Sequence, residues 1–177
     1  MKTRFFCSIA CFGILCCTCL FHCRAVEAGP AECCACRDSL AMDPAVRDSL
    51  IQVIAGASVK RISTVGYDAD TTAWASRKKA LSAADKERFQ FLLLDKSNFQ
   101  SDVTVFGRFM PSVRVTMKSG GRKLLVSLDF GLSKWSLTDL KSGEEWRFDL
   151  RSEELLRWAW LQFPDDLLLK TLYLSQA

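Results

Sequence analysis

The chain has 177 residues, 49% of them hydrophobic and 25% charged, with a formal net charge of +4. All nine cysteines lie between Cys7 and Cys36 together with the only histidine, His22, so the 141 residues after Cys36 contain neither type. Serine–histidine–aspartate and cysteine–histidine catalysis, and histidine-ligated zinc or haem, are excluded from that long stretch. Residues of both signs are interspersed along it, which does not point to a nucleic-acid partner, since phosphate binding needs basic residues gathered on one face.

Lys2 and Arg4 precede an uncharged, mostly apolar run over 5–21, and Val26-Glu27-Ala28 offers suitable residues at the −3 and −1 positions of a signal-peptidase cut before Gly29. The pattern predicts a secretory signal peptide over 1–28 and hence an exported protein, periplasmic or secreted. Two alternatives stay open. Leu20-Phe21-His22-Cys23 allows a lipoprotein leader over 1–22 with lipidation at Cys23, His22 being larger than the small residue usual before such a cysteine. A retained anchor is the other, its 17-residue run slightly shorter than the about 20 residues that cross a bilayer. In that case Cys16, Cys17 and Cys19 become candidates for acylation.

Cleavage after Ala28 leaves Cys33, Cys34 and Cys36 in a short segment over 29–42. An odd number of thiols in an exported chain implies a free thiol or an intermolecular bridge, and Cys33-Cys34-Ala35-Cys36 is too tight for a usual four-ligand zinc site. Removing residues 1–28 takes away Lys2, Arg4, Arg24 and Glu27, leaving 21 basic and 19 acidic residues and a net charge of +2.

A single α+β domain is expected over 43–177. Asp43-Pro44 starts a first helix, with Asp as the cap and Pro where its missing N–H costs nothing. Val46, Leu50, Val53 and Ile54 recur at helical spacing, and Gly56 is expected to end the helix in a left-handed conformation. A β-branched strand follows over 59–65, then a polar connection over 67–79 containing Trp74. Ser82-Ala83-Ala84-Asp85 approximates a capping box. It opens a helix over 83–95 whose apolar face is Phe89, Leu92 and Leu93, widened by Phe91 and Leu94.

Beyond residue 102 the period changes to two. Val113, Val115 and Met117 alternate with Arg114 and Thr116, and Leu124, Val126 and Leu128 with Leu125 and Ser127, and Ser119-Gly120-Gly121 between them is hairpin chemistry. Two more strands are expected over 135–137 and 145–150. Ser152 then caps a helix with Glu153 and Glu154 in its first turn and an apolar face of Leu155, Leu156, Ala159, Trp160 and Phe163. Pro164 ends it, and Asp165 or Asp166 starts a last short helix through Leu168, Leu172 and Leu174. Helices flanking a run of strands imply an antiparallel meander sheet of about four or five strands with helices packed on one face.

Candidate chemistry is sparse. Gly120-Gly121-Arg122-Lys123 lacks Walker spacing and reads as a turn. Asp68 with Asp70, Glu144 with Glu145, and Asp165 with Asp166 are neighbouring carboxylates of the kind that cap and solvate, and Asp68-x-Asp70 lacks the further ligands and glycine of a calcium loop. Asp129 reads as a strand-end turn residue. Arg77-Lys78-Lys79 is the only basic triplet and reads as solvated surface. Trp158 and Trp160 stand two apart on one helix and so point to different sides, one inward and the other toward a partner, a membrane surface or a second covering segment.

Phe109-x-Pro111, the two strands that follow, Asp129-Phe130-Gly131-Leu132 before Trp135, and Phe163-Pro164-Asp165-Asp166 together resemble a pattern found in small exported or lipid-anchored bacterial proteins of unassigned function. The resemblance covers roughly residues 89 to 172 and implies a shared fold and export. The pattern's cysteines are replaced here by Gly107, Asp129 and Leu132, so no thiol, disulfide or metal role is implied for those positions.

The expectation is an exported, non-enzymatic α+β module that binds or interacts with a protein partner, with no catalytic residues, cofactor or metal assigned. The alternatives are a hydrolase using Asp/Glu or Ser/Lys groups from distant segments, and a thiol-linked structural protein or membrane-anchored lipoprotein. Membrane association is expected only with Cys23 lipidated or the leader retained.

Overall fold

A computed structural model describes residues 42–100 and 107–176, all within one compact unit, Ser39–Ala177. The expected leader, His22 and every cysteine, including Cys23, Cys33, Cys34 and Cys36, lie outside the described residues. The described elements are α1 (Pro44–Ala55), β1 (Ser58–Tyr67), β2 (Ala73–Lys79), α2 (Ala83–Leu93), a 3-10 turn (Lys96–Phe99), β3 (Val113–Ser119), β4 (Arg122–Asp129), β5 (Lys134–Asp139), β6 (Glu145–Asp149), α3 (Glu153–Gln162) and α4 (Leu167–Gln176). No described helix is long and apolar enough to cross a membrane.

The strands form one antiparallel sheet in the order β2-β1-β3-β4-β5-β6. It has six strands where four or five were expected. The extra one is β2, in the segment expected to be a polar connection. As an edge strand it pairs on one side only, and its charged, exposed residues suit that position. Trp74 on β2 lies over Gly66 of β1, where a Cβ would come within 2.7 Å of the indole ring.

Alternation sets the core. Val113, Val115 and Met117 pair with Leu128, Val126 and Leu124, which pair in turn with Trp135, Leu137 and Asp139. The apolar members of this grid are inaccessible and merge with Leu50 and Ile54 of α1, Phe89 and Leu93 of α2, and Leu155 and Leu156 of α3. Phe99 meets Trp135 edge-on and Trp135 stacks on Phe148 at 4.6 Å, an aromatic cluster under the far end of the sheet. The turn from β3 to β4 uses positive φ at both Gly120 and Gly121, as a tight hairpin with this strand twist requires.

The helix ends refine the expected caps. Asp43 and Ser82 accept from the backbone N–H groups of Ala45 and Asp85, but Ser152 makes no side-chain cap bond. Gly56 is right-handed, not left-handed; the end of α1 is instead satisfied by the Gln90 side-chain amide, which donates to the carbonyls of Ile54 and Ala57. Helix α2 stops at Leu93, two residues early, and Phe91 is 72% exposed rather than part of its apolar face. On α4 the buried position is Leu169, with Leu172 and Tyr173 half-buried, while Leu168 and Leu174 face outward.

Asn98, the only asparagine, is fully buried and ties three segments together. Its amide donates to Leu92 O, its Oδ1 accepts from Arg151 N, and its carbonyl accepts from Trp135 Nε1 at 2.6 Å.

Candidate functional site

A polar cleft of about 520 Å³ lies where the end of β2 meets α2 and α3. Lys79 comes from the strand, Asp85 and Arg88 from α2, and Glu154, Trp158 and Gln162 from α3. Strand alternation turns Lys79 to the helix side, because it pairs with the core residue Ile62. Its Nζ donates to Gln162 Oε1 at 3.1 Å, and Gln162 Nε2 donates to Asp85 Oδ1 at 3.0 Å. Asp85 Oδ2 also accepts from the Ser82 hydroxyl at 2.6 Å.

This chain of bonds decides what the cleft can do. The Ser82 hydroxyl, with Gln162 and Lys79, outweighs desolvation and holds the Asp85 carboxyl below the ordinary aspartate range, a state suited to accepting hydrogen bonds and poorly suited to donating a proton. Glu154 accepts from Arg88 at 3.3 Å and lies 3.7 Å from Arg157. Lys79 reaches Gln162, and Ser82 serves Asp85, so the serine and lysine nearest the cleft do not form a nucleophile–base pair.

Trp158 forms the apolar wall. It is 4% exposed and packs on Phe89 with ring centroids 4.9 Å apart, and its Nε1 has no hydrogen-bond partner among the described residues. Trp160, two residues on, stacks on Tyr173 of α4 at 4.8 Å. The inward tryptophan is therefore Trp158, not Trp160 as the apolar face read from sequence had it, and α4 supplies the cover over the other. Leu161, 58% exposed, stands on the rim. A second cleft of about 200 Å³ lies at the start of α3, beside Phe130, Arg151 and Glu153.

Gly107, Asp129 and Leu132 come together in space. A Cβ on Gly107 would lie 2.9 Å from Leu132 Cδ2, and Asp129, almost fully buried, accepts from Met110 N at 2.6 Å and Leu132 N at 3.0 Å. Asp129 thus organises the turn after β4 and fastens the approach to β3. Asp68 likewise holds a turn, accepting from Thr72 N at 2.7 Å, and Asp166 accepts from Leu169 N at the start of α4. Glu145 pairs with Arg147. No group of three or more metal-ligating side chains gathers among the described residues.

The cleft was not visible in the sequence, because its residues are separated by up to 83 positions and Gln162 carries no motif. The one available hint was Ser82 with Asp85, read only as a cap. Comparison with protein-family models, curated proteins and solved structures finds no match to this chain.

Proposed function

We propose that the protein is an exported, non-enzymatic α+β module whose work is binding, with the cleft between β2, α2 and α3 facing its partner. The observation that supports this is the state of the cleft's carboxylates. Asp85 is occupied by Ser82 and Gln162, and Glu154 by Arg88 and Arg157. Acid–base hydrolysis needs two carboxylates that remain available to substrate and water. Recognition needs an apolar anchor with a few oriented polar groups around it, which Trp158, Leu161, Lys79 and Gln162 supply.

The test places a photo-crosslinking residue at Leu161, and as a control at exposed Glu87, in the full chain made in its own cell. A discrete adduct at position 161 that is absent at position 87 is the expected result. Hydrolysis of an ester, glycoside or peptide by the purified protein, lost in Asp85→Asn or Glu154→Gln with folding intact, would replace this reading by the hydrolase.

A further inference from the structure

The helices cover one face of the sheet, and the other face carries a segregated charge. Strands β1 to β4 contain nine basic residues and a single acid, Asp129. Alternation and register divide seven of the nine, Lys60 and Arg77 standing at register shifts. Lys79 and Arg122 turn to the helix side, where they meet Gln162 and Asp139. Arg61, Lys78, Arg114, Lys118 and Lys123 lie on the open face, because their neighbours Ile62, Lys79, Val113, Val115, Met117 and Leu124 point the other way.

These five stand close in the pairing grid. Lys78, Ser63 and Arg114 form one row across β2, β1 and β3; Arg61 and Thr116 form the next; Lys118 and Lys123 are directly opposite across β3 and β4. None of the five forms an ion pair among the described residues. Like charges directly opposite in an antiparallel pair oppose folding, so the Lys118–Lys123 pair carries a structural cost that an external anion would relieve. On β5 and β6 the same face is balanced, with Lys134 and Arg147 beside Asp149 and Glu145.

From this segregation we propose that the open face of β1–β4 is a docking surface for an anionic phospholipid bilayer. Charge complementarity selects an anionic partner. The side chains between the cations select lipid headgroups over a nucleic acid. They are the half-buried Thr116 hydroxyl, which can meet a phosphate oxygen, and Leu125 opposite it, while Ser63 and Ser127 are buried. The Tyr67 ring near Arg114 is half-buried with its hydroxyl donating to Pro111 O, which leaves it poorly placed to stack a base. A sheet face that presents lysine and arginine around the half-buried Leu125 suits peripheral, electrostatic contact with a membrane surface, with no insertion. Such contact needs neither lipidation at Cys23 nor a retained leader, and it is independent of the cleft at Trp158.

The experiment is co-sedimentation of the full chain with vesicles of phosphatidylcholine alone and with about one third phosphatidylglycerol, at about 50 and 500 mM salt. Binding to the anionic vesicles alone, released by salt, is the expected result. Each cation reversed on the open face, in Lys78→Glu, Lys118→Glu and Lys123→Glu, should lower the partition at least about fivefold, whereas Lys96→Glu and Lys170→Glu on the helical side, with the same change in net charge, should leave it within twofold. Circular dichroism and Tm confirm that each variant is folded. The double variant Lys118→Glu/Lys123→Glu keeps the like-charge pair and so separates binding from stability. Equal binding to both vesicle types, insensitive to salt and to these reversals, would overturn the proposal in favour of attachment through the leader or a lipid. So would retention on heparin or single-stranded oligonucleotide with no binding to anionic vesicles.

Discussion

The two faces of the sheet are built from alternate residues of the same strands, yet they obey different rules. On the helix side the central positions of β3 and β4 are decided by their own strand: Val113, Val115, Met117, Leu124, Val126 and Leu128 are apolar and fully inaccessible. On the open side the meaning of a residue depends on which strand lies beside it. Lys78 and Arg114 are 36 positions apart, and only the insertion of β1 between β2 and β3 brings them into one row. A local rule makes a core, and a nonlocal one makes a surface.

The largest expected effect is on the helix side. Trp135→Ala removes an inaccessible ring that stacks on Phe148 and bonds Asn98 O, and should cost about 3–5 kcal/mol in chemical denaturation. Asn98→Ala should cost on the order of 2 kcal/mol, because Leu92 O and Arg151 N are then left without their partners in a buried site. A loss below about 0.5 kcal/mol for Asn98→Ala would show that water replaces the side chain and that the three-way tie is not structural.

Acid should act on the ends of the fold. The backbone amide of Lys141 and then Arg122 hold the Asp139 carboxyl below its usual range, and Ser82 and Gln162 do the same for Asp85 against the desolvation that opposes them. A group with a depressed folded pKa contributes stability that is fully present above its unfolded pKa and is lost as pH falls through the folded value. Tm should therefore be level near neutrality and decline below about pH 4, and Asp139→Asn should flatten part of that decline. An unchanged acid profile in the variant would remove Asp139 from the account.

The smallest effect has the opposite sign. Lys118→Glu places opposite charges across the β3–β4 pair and should stabilise the protein by a few tenths to about 1 kcal/mol, even as it weakens vesicle binding. Gain in stability with loss of binding would sharpen the contrast between the faces. A destabilised variant would mean that Lys118 packs in a way its exposure does not suggest.

Most of the fold was legible because its signals are local. The hairpin at Gly120-Gly121, the caps at Asp43 and Ser82, and the alternation of β3 and β4 each rest on adjacent residues. Strand β2 was missed because an edge strand with one pairing partner looks like polar surface in sequence. The charge segregation was missed for a related reason. Asp85, Glu87 and Asp95 separate the cations of β2 from those of β3 along the chain, and the fold carries α2 and its acids to the other side of the sheet. The tie at Asn98 was hidden because its partners lie 6, 37 and 53 residues away.

The division between the faces can be read directly by lysine acylation footprinting with mass spectrometry, in the absence and presence of anionic vesicles. Lys78, Lys118 and Lys123 should react in the free protein and be protected together by vesicles, while exposed Lys96 and Lys170 on the helical side keep their reactivity. Protection spread evenly over all five lysines, or confined to Lys96 and Lys170, would contradict the account.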